Sequence, residues 1–274
     1  MVQGEALMVS LKEAANRKSS ISRTSQAVAL IRSSLDRPHT AEGDADAQKR
    51  LCNGVKPISS IRLRPEIIAR TRFFDGQVLS ALSAGMRQVV ICGAGLDDRA
   101  LRFRTAGVCF FELDQPLTQA DKARRLESIS ADMKGLTLVP VDFRFEDAAA
   151  KLEAAGHDAS QPSLFMCEGL LIYLTEQVGR RLLVALRSRA AAGSVLAASL
   201  AIRLEGGNSD RILVDINARR RAGLTEPWVT VLPLDAYLTL LKQSGWQVAC
   251  TIDPSKVYGQ AAGSGMTLIT AAPA

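Results

Sequence analysis

Gly93, Ala94 and Gly95 follow the apolar run Val89-Val90-Ile91-Cys92, and later apolar runs end in Asp114, Asp142 and Glu168. Small residues after a strand permit a tight turn and leave backbone N–H groups open to a ligand. Each carboxylate offers acceptor oxygens to hydroxyl or amino groups. Ligands of open α/β sheets bind just beyond the carboxyl ends of the strands. If each run is a strand of one parallel sheet, all four features fall on one edge. Their joint placement is more specific than any one of them. A Gly-x-Gly pair alone also serves a plain strand-to-helix turn.

The turn points to a nucleotide-like cofactor. A dinucleotide fingerprint needs a third glycine, and Asp98 occupies that place. The expectation moves from a hydride carrier toward S-adenosyl-L-methionine. Asp114 stands nineteen residues after Gly95, where an acid accepts from the hydroxyls of a ribose. It would equally cap a helix opened by Pro116. Glu112, two residues earlier, either assists Asp114 or orients neighbours. Asp142 accepts from an adenine amino group while Phe143 covers the ring, or it caps a loop. Glu168 is costly after a buried strand unless it meets water or a partner. Tyr173 lines the pocket or packs in the core.

The elements that position these residues alternate. Strands are expected over Gln88–Cys92, Val108–Leu113, Leu136–Val141, Ser163–Cys167 and Ser194–Ser199. Helices are expected over Ala100–Phe103, Pro116–Ile129, Phe145–Ala155 and Glu176–Ala191. Alternation of this kind implies a parallel sheet covered on both faces. The end departs from it. A helix over Leu234–Ser244 precedes strands Trp246–Ile252 and Met266–Ala271, with only loop residues between those two. Strands without a crossover helix pair antiparallel. The predicted fold is α/β: a mostly parallel, Rossmann-like seven-stranded sheet ending in an antiparallel hairpin, the layout of class I methyltransferases. Helices over Ser25–Ser34 and from Arg64-Pro65 to Ala84 make 1–84 an N-terminal helical cap. Residues 85–274 form the core with a cap insertion at 202–233, within one domain of 1–274.

Composition narrows the function classes. The chain has 274 residues, 47% hydrophobic and 23% charged, with net charge +6. Aromatics are only 5%, too few for base-stacking platforms on nucleic acid. The cluster Arg219-Arg220-Arg221 reads as a solvated helix face. No apolar run approaches the ~20 residues needed to cross a bilayer, and no secretory signal is read at the start. The five cysteines have no CxxC or zinc spacing. The expected setting is cytoplasmic, with no metal and a small-molecule partner. No GxSxG elbow is present, which disfavours a hydrolase. His39 and His157, the two histidines, fall in expected loops, and no catalytic base is assigned.

Several motifs in order resemble the leucine carboxyl methyltransferase family, whose bacterial branch includes O-methyltransferases of polyketide pathways. They are Gln88 to Arg99, Phe111-Glu112-Leu113-Asp114-Gln115-Pro116, Val141-Asp142-Phe143-Arg144 and Glu168-Gly169-Leu170-Leu171-Ile172-Tyr173-Leu174. Arg70-Thr71-Arg72-Phe73-Phe74-Asp75 resembles the segment before the first strand. The resemblance covers roughly residues 22 to 252. It implies that Arg70 pairs with the methionine carboxylate of S-adenosyl-L-methionine and that Gly93, Ala94 and Gly95 pass close to the methionine moiety. Asp114 would hold the ribose, Asp142 and Phe143 adenine, and Glu168 would lie near the methionine amino group. Thr24 falls where the cap reaches the cofactor. The implied activity is O-methyl transfer to a carboxyl or hydroxyl, on a small molecule or on a protein carboxyl group. An NAD-dependent oxidoreductase is the competing class. The chain departs from the family at Asp98, at Leu101 and at the end of the fifth strand, Ala198-Ser199-Leu200-Ala201.

Overall fold

The computed structural model describes residues 22–56, 64–203, 226–254, 257 and 265–274. The Arg219-Arg220-Arg221 cluster and most of the expected insertion, 204–225, lie outside the described residues. One seven-stranded sheet organises the molecule, in the order β3-β2-β1-β4-β5-β7-β6. Its strands are β1 (Gln88–Cys92), β2 (Cys109–Asp114), β3 (Leu136–Pro140), β4 (Ser163–Cys167), β5 (Val195–Ala201), β6 (Trp246–Ile252) and β7 (Met266–Pro273). The first five pair in parallel, and β7 runs antiparallel to both β5 and β6. The antiparallel end expected from the missing crossover helix is present.

Burial on both faces explains the apolar strands. All five residues of β1 and of β4 are buried. Alternate side chains feed two clusters. Val90, Phe165 and Ala198 share one with helix α7 (Glu176–Ser188) and helix α8 (Leu234–Gln243). Val89, Ile91 and Met166 share the other with helix α3 (Arg64–Ser83), through Phe73, Phe74 and Val78. Helix α3 therefore covers the sheet itself, whereas the sequence places it in a cap. Helix α1 (Arg23–Ser33) and the short α2 (Ala47–Leu51) lie outside that layer, and α1 packs on both α2 and α3. Five residues make little more than one turn, so α2 carries no readable period.

Local chemistry sets the helix ends. Helix α7 begins where the Thr175 hydroxyl accepts from Val178 N, and its Leu182, Leu183 and Leu186 are buried. Full burial of each such side chain stabilises by about 1.5–3 kcal/mol. The remaining helices are α4 (Arg99–Arg102), α5 (Pro116–Ser128) and α6 (Ala148–Ala154). Helix α6 starts three residues later than its sequence suggests. The Asp147 carboxylate accepts from Ala149 N and caps it there, leaving Phe145 78% exposed.

His157 follows α6 and is a core residue, though its sequence context reads as loop. It is 3% exposed, and its Nε2 lies 3.0 Å from Ser163 Oγ. The ring sits 5.5 Å from Phe111 and 5.7 Å from Phe165. Burial, then nearby Arg189, draws its pKa down from 6.5 to about 4. The folded state thus prefers the neutral ring. The associated stability is fully present above 6.5 and is lost as pH falls through about 4. Urea midpoints of the native chain should therefore drop between those two values, and His157→Phe should flatten part of that slope. Parallel slopes in the two proteins would show that His157 does not titrate this way.

Candidate active site

Strand β1 leads the chain to β2 and β3 on one side, while β4 and β5 lie on the other. The crevice between β1 and β4 is the switch point where open α/β sheets take ligands. Gly93 and Glu168 follow the two strands that flank it.

The glycine turn is fixed by its neighbours. Gly93 N and Ala94 N both donate to Leu113 O, at 2.7 and 3.2 Å. Gly95 N donates to Asp114 Oδ2 at 2.6 Å, and Gln115 N donates to Asp114 Oδ1 at 2.7 Å. Burial raises the Asp114 carboxyl, while these N–H groups pull against that rise. Gly93 and Gly95 have φ of 69° and 50°, values that favour glycine. A Cβ on Gly95 would stand 2.7 Å from Ser25 Cβ, and one on Gly93 3.0 Å from Leu170 Cδ1. Helix α1 and the segment after β4 thus close over the turn. Gly95→Ala should cost about 1–2 kcal/mol from its left-handed backbone alone, with more from the Ser25 contact. A thermal melt would check this, and an unchanged midpoint would mean that the turn relaxes freely.

Behind the turn lies a buried charge network that sequence reasoning missed. Arg99 is 0% exposed. Its guanidinium reaches Asp75 at 2.7 Å, Asp97 at 2.6 Å and Glu168 at 2.7 Å. Arg32 of α1 bridges Asp97 at 3.1 Å and Glu168 at 2.6 Å. Arg37 pairs with Asp75 at 2.8 Å and Asp98 at 2.7 Å, and Arg102 also holds Asp98 at 2.7 Å. Burial alone would raise Asp97; Arg99 and Arg32 overcome it and hold the carboxyl at about 2. Arg32, Arg99 and Arg70 likewise overcome burial at Glu168 and hold it well below the usual carboxylate range. Asp98 is fully buried and anchors Arg37 and Arg102. The readable signal was a run of three charges, Asp97-Asp98-Arg99, directly after a glycine turn.

Glu112 belongs to this interior. It is buried and paired with Lys122, whose ammonium also donates to Asp97 O at 2.6 Å. Burial pushes its carboxyl up to about 7 against the pull of Lys122. Glu112 thus positions Lys122 against the loop that carries the glycine turn.

The structure gathers most of the candidate residues. Arg70 Nε donates to Glu168 Oε1 at 2.9 Å. A Cβ on Gly169 would lie 2.8 Å from Arg70 Nη1, so Arg70 is stacked on the turn after β4. Ser199 Oγ accepts from Gly169 N at 2.8 Å, giving the end of β5 a role despite its lack of an acid. The Tyr173 phenol is pushed up by burial and by Glu226, with Arg70, Trp228 and Thr24 pulling it down. Thr24 of α1 and Arg70 of α3 therefore both act on the Tyr173 phenol, although the three come from separate segments. Each of the Glu168 oxygens already accepts from an arginine, so Glu168 holds the arginines in place as much as it faces any ligand.

Asp142 and Phe143 stand differently. Val141 N donates to Asp114 O at 2.8 Å, which brings the end of β3 beside Asp114. The Asp142 carboxylate is held by Arg144 at 2.6 Å, and this bond lowers its pKa. The Phe143 ring is 8% exposed and belongs to an apolar cluster with Val141, Ala148 and Leu152. His39 is exposed, with Nδ1 against Thr40 O, and takes no part in this gathering. Among the described residues no cluster of potential metal ligands occurs. No helix among them is long and apolar enough to cross a membrane. A cavity of about 280 Å³ lies elsewhere, lined by Glu42, Asp44, Arg104 and Asp132 among others.

The sequence pattern of leucine carboxyl methyltransferase matches residues 4–187. The chain belongs to that family. A Frankia alni protein named "Putative S-adenosyl-L-methionine-dependent methyltransferase" is 37% identical over 199 residues, 71% of this chain and 66% of its own length. A Streptomyces coelicolor protein of the same description is 37% identical over 187 residues, covering 67% and 63%. The chain thus spans about half to two thirds of the length of the curated relatives it matches. Among solved structures, the magnesium protoporphyrin IX methyltransferase of Synechocystis superposes with TM-score 0.54 at 15% identity, covering 84% of this chain and 94% of that one. A methyltransferase-like structure from Thermobifida fusca gives 0.60 at 15%, covering 88% and 96%. These likenesses establish the class I methyltransferase fold for this family member.

Proposed function

We propose that the chain binds S-adenosyl-L-methionine and transfers its methyl group to a carboxyl or hydroxyl oxygen, on a small molecule. The observation that carries this reading is the union of the glycine turn with Asp114. Gly95 N fixes one Asp114 oxygen and Gln115 N the other. A carboxylate held from behind in this way still has acceptor lone pairs for a ribose hydroxyl. The names of the relatives support the S-adenosyl-L-methionine-dependent methyltransferase part of this reading.

In this reading Gly93, Ala94 and Gly95 border the methionine moiety, with Leu170 and Ser25 packed so close to the two glycines that a Cβ on either would crowd them. Arg70 offers its guanidinium to the methionine carboxylate while Glu168 fixes its orientation. Thr24 closes the site from α1. Asp142 lies at the adenine end with Phe143 supporting its loop, and Tyr173 faces the acceptor. The donor supplies an electrophilic methyl carbon on a sulfonium. The protein's task is alignment, which can contribute several kcal/mol, up to about 7–11 in favourable cases. The chain would act as one domain, with α1 laid against the glycine turn through Ser25.

Calorimetry with S-adenosylhomocysteine and with NAD tests the reading. Saturable binding of the first and none of the second is expected. Tight NAD binding with no response to S-adenosylhomocysteine would defeat it. Transfer of labelled methyl into a small-molecule extract, followed by product identification, then finds the acceptor.

A further inference from the structure

Arg70 carries the surplus charge of the buried network. Five arginines meet four carboxylates there. The Arg70 side chain is 16% exposed, whereas the other four arginines are 6% or less. Buried charges need partners, so the unmatched one sits at the rim, where an anion can reach it. Two contacts orient it. Nε donates to Glu168 Oε1 at 2.9 Å. The rest of the guanidinium lies over Gly169, where a Cβ would stand 2.8, 3.1 and 3.2 Å from Nη1, Cζ and Nη2. Nη1 and Nη2 have no partner among the described residues, and together they form a fork that can take a carboxylate bidentately. Gly169 depends in turn on β5. Strand β4 ends at Cys167, opposite Ala198, and Gly169, with φ of 61°, turns the chain out of the ladder. Its N–H donates to Ser199 Oγ at 2.8 Å. By strand alternation Ser199 shares with Ala197 the sheet face that α3 covers.

We propose that Ser199 is a positioning residue for the amino-acid half of the methyl donor: by holding Gly169 N it seats the Arg70 guanidinium with its fork free for the methionine carboxylate. This rests on the S-adenosyl-L-methionine reading and extends it to a residue that reading leaves out. A hydroxyl at this strand end meets the Gly169 N–H without adding charge, so the surplus stays on Arg70. An acid there would cancel it. An apolar side chain would leave Gly169 N without its acceptor, and the turn under Arg70 would be free to shift. Ser199 touches no ligand in this account; it acts through Gly169 and Arg70.

The test compares two ligands of the full chain by calorimetry, S-adenosylhomocysteine and 5′-methylthioadenosine. They share adenine, ribose and a thioether sulfur, and only the first carries the amino-acid half. The native chain should bind S-adenosylhomocysteine about tenfold or more tightly, since a bidentate guanidinium–carboxylate pair is a strong charge-assisted contact. Ser199→Ala should lose about tenfold in S-adenosylhomocysteine affinity, the scale of one hydrogen bond to a charged group. Its methylthioadenosine affinity should stay at the native value, which also shows that the variant folds. Ser199→Thr keeps the hydroxyl and should bind both ligands as the native chain does. In an Arg70→Met background, Ser199→Ala should cost nothing further, because the two residues act through one contact. No native preference between the ligands, equal losses for both, no loss for either, a Thr variant as weak as Ala, or an additive loss in the double variant would each overturn the inference. Failure of the native chain to bind either ligand would instead defeat the methyltransferase reading itself.

Discussion

Arg99→Met is expected to destabilise the chain by about 3–5 kcal/mol, the cost of breaking a buried ion pair by removing one partner. Arg99 is the shared counter-ion of Asp75, Asp97 and Glu168, at 2.7, 2.6 and 2.7 Å. Methionine keeps much of the volume but leaves three carboxylates facing one another, with Arg32, Arg37 and Arg70 as remaining partners. Arg99→Lys should recover only part of the loss, because an ammonium cannot span the geometry of a planar fork. Urea unfolding at neutral pH measures both. The network also has a pH signature. Asp97 is depressed to about 2, so its contribution is present above the ordinary value of 3.8 and disappears as pH falls through about 2. Native and Arg99→Met stabilities should therefore converge in strong acid. A loss under about 1 kcal/mol at neutral pH would mean that solvent reaches these charges and screens them.

Asp114→Ala is expected to weaken S-adenosylhomocysteine binding by about 1–3 kcal/mol, the range for losing a hydrogen-bonded buried carboxylate. Every 1.4 kcal/mol is about tenfold in dissociation constant. Two effects combine. The ribose would lose its acceptor, and Gly95 N would lose the bond at 2.6 Å that fixes the turn. Asp114→Asn separates them, since its amide oxygen can keep one N–H while the charge is gone. If Asn binds nearly as well as Asp, the carboxylate acts mainly on the turn. If Asn resembles Ala, the charge and second acceptor matter to the ligand. Calorimetry gives the constants, and unchanged affinity in Asp114→Ala would remove the residue from the site.

Much of the sheet was legible because strand burial leaves a plain signature. Strands β1 and β4 occupy the spans read from their apolar, fully buried runs, and β6 occupies its span with Trp246 as its one buried residue. The missing crossover helix before β7 foretold the antiparallel end. Helix ends were less legible where a side chain set them. Asp147 starts α6 later than the apolar pattern does. Helix α3 reads as a cap from its place before the first strand, but Phe73, Phe74 and Val78 lay it on the sheet.

By itself the sequence determined the order of strands, the glycine turn and the acids that end the strands, because each depends on neighbours in the chain. Only the tertiary structure decided which charges meet. Arg32, Arg37, Asp75 and Arg99 come from separate helices and loops, with Arg32 of α1 reaching Glu168 beyond β4, and Coulomb energy depends on distance in space. It also decided that Asp98 faces two arginines and that Phe143 packs inward. The same folding sets Arg70 of α3 against Glu168, though 98 residues separate them in the chain.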